Sequence, residues 1–157
     1  MKKIDKILVC LDLSDYSEST LEGAVTISGN TGAQIHIINV LNRRDVSAAT
    51  MIPPYYTGAI DVPKFVKETT EKRKKEIEKT IADKFPDFQP PMIIHMTMGT
   101  PFEEILHAAE EETVDIIVMG NKGRSNLART LFGSQAEKVF RHSHIPVFSI
   151  RNEPHKR

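Results

Sequence analysis

The chain has 157 residues and carries 21 basic and 21 acidic side chains, so its formal net charge is zero. That length suits one domain with its own core, and 39% hydrophobic with 27% charged residues is typical of a globular protein. The charge balance argues against a general nucleic-acid or anionic-membrane binder, because both need a surplus of basic groups.

The apolar runs and the cysteine content exclude further classes of protein. The longest apolar runs have about five residues, whereas a bilayer crossing needs about 20. A single cysteine, Cys10, permits no internal disulfide, and we interpret it as an apolar filler of a strand. The first residues do not have the pattern of a secretory signal. We therefore expect a cytoplasmic protein without membrane contact.

The first third of the chain predicts a strand, a helix and a second strand. Lys6–Leu11 is a continuous apolar run, as expected of a strand that is covered on both faces. The helix that follows can start with a capping box made by Asp15 and Glu18, and glycines stand near its end. Gln34–Val40 is the second strand, which completes a βαβ unit.

The middle of the chain predicts a long connection, a polar helix and a third strand. Residues 41–62 show no sustained period, and connections of that length tend to be functional lids or mobile segments. Pro63–Phe85 has helical spacing but is mostly polar, and we interpret its charged run as a solvated face. Met92–Met98 is the third strand.

A strong helix start follows the third strand. Thr100 is placed to cap, Pro101 stands at the first helical position, and Glu103 completes a capping box. Val114–Met119 then predicts a fourth strand.

The last part of the chain completes the pattern of strands and helices. Ser134–His142 is predicted as a helix that faces inward through apolar side chains, Phe140 among them, and Ile145–Ile150 as a fifth strand. Five strands alternating with helices predict an α/β fold, a five-stranded parallel sheet with helices on both faces. Ligands of such folds bind beyond the carboxyl ends of the strands.

A glycine-punctuated segment follows the fourth strand. Its spacing is G-x2-G-x9-G-S, formed by Gly120, Gly123, Gly133 and Ser134. Glycines allow close backbone approach to a ligand, and the amides at the start of the next helix favour an anion such as phosphate. Lys122 and Arg124 add positive charge. The alternative is a strand-to-helix loop in which the glycines only make turns. Neither the P-loop nor the dinucleotide fingerprint is present.

In this segment the chain resembles the universal stress protein family, whose ATP-binding motif has the same four positions. Gly99–Pro101 is similar to the family's turn after the third strand, and Ile145–Val147 to its final strand. The opening strand and its aspartate also match, whereas Cys10 and Leu13 depart from the common residues. The resemblance covers a single domain of about residues 4–151, followed by a polar tail at 152–157.

The resemblance implies a Rossmann-like nucleotide-binding fold that holds ATP, or ADP or AMP, between the first and fourth strands, with Mg²⁺ or Mn²⁺ accompanying the phosphates. It implies that Asp12 and the backbone of Val40 address the adenine and ribose and that Gly120 lies near the ribose. The residues expected at the phosphates are Gly123, Gly133, Ser134 and Gln135. Leu11, Met119 and Arg124 complete the predicted set.

The resemblance further implies a stress-response or signalling module that forms a homodimer through the last strand, Ile145–Ile150. One alternative is slow Mg²⁺- or Mn²⁺-dependent ATP hydrolysis, for which the sequence names no convincing group to position water. Nucleotidyl transfer ranks lower because the H-x-G-H motif is missing. Another alternative is an interaction module that binds no nucleotide.

Histidines invite a metal hypothesis, since the chain has six of them. His142 and His144 form an H-x-H pair, but the pair straddles a predicted helix end and has no acidic cluster near it in sequence. The sequence therefore predicts no metal site built from side chains.

Overall fold

Five strands and five helices make up the described part of the protein, a computed structural model in which residues 3–51, 58, 60–89, 91–122 and 133–151 are described. In chain order the elements are β1 (Lys6–Cys10), α1 (Ser17–Thr31), β2 (Gln34–Asn42), α2 (Arg43–Thr50), α3 (Val62–Lys84), β3 (Ile93–Gly99), α4 (Pro101–Glu111), β4 (Ile116–Gly120), α5 (Ser134–His142) and β5 (Val147–Ile150). The expectations for Gly123 and Arg124 and for the tail at 152–157 fall outside the described residues.

All five strands pair in parallel, in the order β3-β2-β1-β4-β5. Two buried clusters cover the two faces. On one face Ile7, Val9 and Ile37 pack with side chains of α1 and with Ile77 of α3. On the other face Leu8, Ile38 and Ile117 pack with side chains of α4 and α5. The predicted parallel α/β sheet with helices on both faces is confirmed.

The start of α1 differs from the prediction. Tyr16, not Asp15, stands at the N-cap, and its side chain makes no capping bond. The turn before the helix is held instead by Asp12, whose Oδ1 accepts from the Ser14 N–H at 3.0 Å and from the Ser17 hydroxyl at 3.2 Å. The predicted capping box is therefore wrong, because a side chain at the end of β1 organises this turn.

The start of α4 is confirmed at Pro101, but its predicted capping box is also wrong. Thr100 is the N-cap residue and makes no side-chain capping bond. The Phe102 N–H donates instead to Gln135 Oε1 of α5, at 3.1 Å. A residue 33 positions away thus supplies the acceptor that Thr100 was expected to supply.

The connection at 41–62 contains regular structure that the pattern did not predict. β2 continues to Asn42, and the Asn42 side chain starts α2 by accepting from the Arg44 N–H at 3.0 Å. Only Val46 of α2 is buried, so this helix has too few apolar positions to show a period. Residues 52–57 and 59 of the connection lie outside the described part.

The position of Phe140 differs from the prediction. Phe140 was expected to face inward but is 43% exposed, because α5 buries only Ala136 and Val139. Within the described residues, no helix combines the length and the apolar character that crossing a bilayer requires.

Candidate functional site

A cavity of about 290 Å³ lies at the carboxyl edge of the sheet. From β1 the chain continues to β2 and then β3 on one side of the sheet. It then returns to the other side of β1, where it forms β4 and β5. The strand order thus reverses between β1 and β4, which is where α/β folds bind ligands. We call this space the switch-point cavity. It is lined by the ends of β1, β2 and β4 and the first residues of α4 and α5.

Eight of the ten predicted site residues line the switch-point cavity. They are Leu11, Asp12, Val40, Met119, Gly120, Gly133, Ser134 and Gln135. The other two, Gly123 and Arg124, lie outside the described residues. The structure therefore brings together every predicted residue that it describes.

Asp12 occupies a tight turn at one wall of the cavity. Besides the bonds of Asp12 to Ser14 and Ser17, this turn holds Leu13 at a φ of 60°, in the left-handed region that non-glycine residues rarely adopt. Leu13 is also one of the two positions that depart from the family pattern. Strain of this kind collects where a turn has to aim a functional group. The turn orients the Asp12 carboxylate beside the cavity.

Two side chains that the sequence did not single out contact the backbone at Leu11 and Val40. Asn39 is fully buried, and its Nδ2 donates to the Leu11 carbonyl at 2.7 Å. Its Oδ1 accepts from Arg73 Nη1 at 3.3 Å, and the same nitrogen lies 3.5 Å from the Val40 carbonyl. Arg73 belongs to the charged run that was interpreted as a solvated face, and for this residue that interpretation is wrong.

The N-terminus of α5 opens on the cavity. Gly133 is the N-cap with φ −65° and ψ 153°, and its N–H donates to the Asn121 carbonyl at 2.7 Å. Ser134 and Gln135 begin the helix, where unpaired amides and the helix dipole favour an anion. Gln135 was expected at the phosphates, and its Oε1 is already bonded to the N–H of Phe102. This side chain thus joins the starts of α4 and α5.

Gly120 ends β4 at a position where a Cβ atom would crowd its neighbours. A Cβ at this position would lie 3.1 Å from the Lys122 carbonyl oxygen and 3.2 Å from Thr20 Oγ1. Both contacts are tighter than ordinary van der Waals distances. A larger residue here therefore requires these neighbours to shift by a few tenths of an ångström, whatever a ligand requires.

Lys122, whose positive charge the sequence had indicated, also lines the cavity. Other lining residues were not predicted to belong to the site: Asp45 of α2 contributes negative charge and Thr20 contributes a hydroxyl. Cys10 also lines the cavity, although the sequence suggested only a filler role. Burial raises the pKa of the Cys10 thiol, and the Asp12 carboxylate raises that pKa further. The thiol is therefore uncharged at neutral pH.

A second polar cluster lies at the opposite, amino edge of the sheet. We call His36 of β2, His95 of β3 and Glu112 at the end of α4 the histidine cluster. Burial lowers the pKa of His36; Glu112 opposes that shift, whereas His95 and Lys6 add to it. Sequence analysis did not find the cluster, because the two histidines are 59 positions apart and form no motif.

The parallel α/β sheet with a cavity at its switch point defines the class of the protein as an open α/β domain, an architecture in which other proteins bind ligands at that edge. The family model described as the universal stress protein family matches residues 3–151. The chain belongs to the universal stress protein family.

Known relatives agree with this assignment. Universal stress protein MJ0531 of Methanocaldococcus jannaschii is 31% identical over 148 residues, which cover 93% of this chain and 81% of that protein. Universal stress protein YxiE of Bacillus subtilis is 31% identical over 151 residues, which cover 94% of this chain and 99% of that protein.

Solved structures share the fold. The structure of MJ0577, a universal stress protein of M. jannaschii, superposes with a TM-score of 0.82 at 25% identity and covers 98% of this chain and 99% of its own. A universal stress protein in complex with cAMP gives a TM-score of 0.61 at 18% identity, covering 96% and 98%. An Archaeoglobus fulgidus universal stress protein in complex with dAMP gives 0.56 at 20% identity, covering 94% and 98%.

Proposed function

We propose that this universal stress protein binds an adenine nucleotide, ATP in the first place, in the switch-point cavity. The observation that carries the proposal is the convergence of eight predicted residues from both halves of the chain on one cavity. Nucleotide binding by relatives supports it, because two structures of the same fold hold cAMP and dAMP, both of which carry adenine.

The chemistry of the cavity suits the parts of such a ligand. Its volume of about 290 Å³ is close to the lower end of ligand pockets, which run from roughly 300 to 1,000 Å³. Apolar walls formed by Ile38 and Met119 suit an adenine ring, and the Asp12 carboxylate can accept from a ribose hydroxyl or the adenine amino group. The amides that begin α5, together with Lys122, suit the phosphates.

A divalent ion fits the proposal as a companion of the phosphates. Asp12 and Asp45 both line the cavity and would repel a bare triphosphate. Mg²⁺ or Mn²⁺ prefers carboxylate and phosphate oxygens, and its charge offsets that repulsion. Binding of ATP should therefore be stronger with Mg²⁺ than with a chelator present.

The proposed molecule is a cytoplasmic homodimer that acts in stress response or signalling. β5 lies at an edge of the sheet, and Phe148 on it is 50% exposed. An edge strand with an exposed aromatic side chain is suited to pairing with a second copy. A single free cysteine suits a reducing compartment.

Thermal unfolding with and without millimolar Mg·ATP tests the nucleotide proposal, after co-purified nucleotide has been removed and identified. A ligand at 100 times its Kd stabilises by about 2.7 kcal/mol, which raises Tm by several degrees at this size. We expect ATP to raise Tm and GTP not to do so. Equal shifts with ATP and GTP, or no shift together with no co-purified nucleotide, would contradict an adenine-reading site.

Phosphate release measured on the same samples separates binding from hydrolysis. We expect no turnover above that of a variant with impaired ATP binding. Hydrolysis that disappears in such a variant would instead establish the protein as an ATPase.

A further inference from the structure

The histidine cluster places three metal-binding side chains together. His36 Nδ1 lies 2.9 Å from His95 Nε2 and 3.5 Å from Glu112 Oε2. The second Glu112 oxygen lies 4.0 Å from His95 Nδ1. Each of the three residues offers one ligand atom, and these atoms all lie within 4.8 Å of one another.

We propose that the histidine cluster binds a divalent transition-metal ion, with Zn²⁺ as the first candidate. Two imidazole nitrogens and a carboxylate are donors that zinc prefers. Around a tetrahedral Zn²⁺ with bonds of about 2.0–2.1 Å, the ligand atoms lie about 3.3 Å apart. The separations of 2.9 Å and 3.5 Å lie on either side of that value, and all three ligand atoms lie within 4.8 Å of one another, so adjustment of the side chains admits the ion.

A neighbouring amide already orients His36 for this role. His36 Nε2 lies 3.2 Å from Gln34 Oε1, and an amide oxygen only accepts hydrogen bonds. Nε2 therefore carries the hydrogen, and the Nδ1 lone pair is directed at the cluster. Outer contacts of this kind fix the tautomer and ring orientation of metal-binding histidines. Without the ion, His95 Nε2 carries the hydrogen that is shared with His36 Nδ1. When the ion is bound to His95 Nε2, the hydrogen of His95 is on Nδ1.

Packing holds the two rings, and the remaining side of the cluster is accessible. His36 is only 2% exposed, and its ring lies nearly parallel to that of His95, with an interplanar angle of 8° and centroids 5.2 Å apart. The side chains of His95 and Glu112 are 23% and 31% exposed, so an ion can enter from solvent. With three protein ligands, water can occupy the fourth coordination position.

A nearby positive charge opposes the ion and offers a further test. Lys6 Nζ donates to the Glu112 carbonyl at 2.9 Å, which places an ammonium group beside the cluster. Coulomb repulsion between this group and a divalent ion weakens binding. Replacing Lys6 by Gln keeps a donor and removes the charge, so Lys6→Gln should bind the ion at least twofold more tightly.

The test uses the full, tag-free chain after chelator treatment and removal of nucleotide. Co²⁺ titration followed by visible absorption reports tetrahedral coordination, and competition with Zn²⁺ gives the zinc affinity. We expect one ion per chain, and at least tenfold weaker binding in His95→Gln and in Glu112→Gln. His36 is left unchanged because its burial makes its replacement a threat to folding.

His107→Gln is the matched control. His107 lies on α4 with a side chain that is 74% exposed and 3.9 Å from Glu111, so it represents an adventitious surface pair. We expect wild-type affinity in this variant, and Tm without metal identifies any variant that is simply unfolded. Failure to retain Co²⁺ or Zn²⁺ at micromolar concentration, or equal affinity in His95→Gln, Glu112→Gln and wild type, would show a hydrogen-bonded pair and overturn the proposal.

Discussion

At Gly133 the requirements of the fold differ from those of the proposed ligand. Its φ of −65° and ψ of 153° are open to any residue, so the backbone does not require glycine there. We expect its small size to matter instead for the approach of a ligand to the α5 amides. We expect Gly133→Val to bind ATP at least tenfold more weakly, because the added side chain crowds the phosphate end, while Tm without nucleotide stays within a few degrees.

The matched control for that change is Gly29→Val. Gly29 lies on the exposed side of α1, and a Cβ there meets nothing within 4 Å. Both variants should fold, and only Gly133→Val should lose ATP binding by calorimetry. Unchanged ATP affinity in Gly133→Val would remove the α5 N-terminus from the proposed site.

Cys10 gives a chemical probe inside the same cavity. Its thiol pKa is raised by burial and by Asp12, above the unperturbed value of about 8.5. Since the thiolate is the reactive form, the native protein should react slowly with iodoacetamide at pH 8, and its rate should keep rising beyond pH 9. Asp12→Asn should accelerate labelling by lowering this pKa.

Urea-unfolded protein is the reference for Cys10. Its labelling rate should level off above the unperturbed pKa, because in the unfolded chain neither burial nor Asp12 acts on the thiol. A native rate that levels off at the same pH would contradict the raised pKa.

At the scale of elements, the contact between α4 and α5 links stability to the proposed site. Gln135→Ala removes the acceptor of the Phe102 N–H, and loss of such a cap costs about 0.5–2 kcal/mol. Gln135→Glu keeps an oxygen acceptor, so its urea unfolding should resemble wild type. Its negative charge should nevertheless weaken ATP binding by repelling the phosphates.

Gln135→Ala is expected to lower the stability, whereas Gln135→Glu is expected to keep the stability and lower the ATP affinity. Wild-type stability in Gln135→Ala would show that this hydrogen bond does not stabilise the starts of the helices. Wild-type ATP affinity in Gln135→Glu would place the phosphates away from residue 135.

Local patterns predicted the elements well where one segment determines its own structure. Pro101 begins α4 and Ser134 begins α5 as expected. The two capping boxes were wrong because Asp12 and Gln135, which lie outside the helices they support, act at those starts. α2 was missed because a helix that buries only Val46 has almost no apolar period.

The site was predictable to the extent that strand ends meet at one edge. Leu11 directly follows β1, Val40 lies near the end of β2 and Gly120 ends β4, so the order of these neighbouring parallel strands brings the three residues together. Arg73 could not be assigned, because its contact to Asn39 joins residues 34 positions apart across a helix and a strand. The histidine cluster depends on similar distant contacts.

At the scale of the whole molecule, the two edges of the sheet can be compared. β5 forms one edge and β3 the other, and each carries an exposed apolar side chain. Phe148 of β5 is 50% exposed and Met98 of β3 is 42% exposed. If the proposed homodimer pairs β5 with its copy, only the first of these residues is covered in the assembly.

Phe148→Lys should therefore convert the proposed homodimer into a monomer. In a dimer paired through β5, the substitution would bring two like charges together and remove apolar contact. Charged side chains on edge strands are a common means of preventing association. Sedimentation velocity should give twice the chain mass for wild type and a single chain mass for Phe148→Lys. Met98→Lys makes the same change at the opposite edge and should remain dimeric. A dimeric Phe148→Lys, or a Met98→Lys that dissociates, would move the interface away from β5.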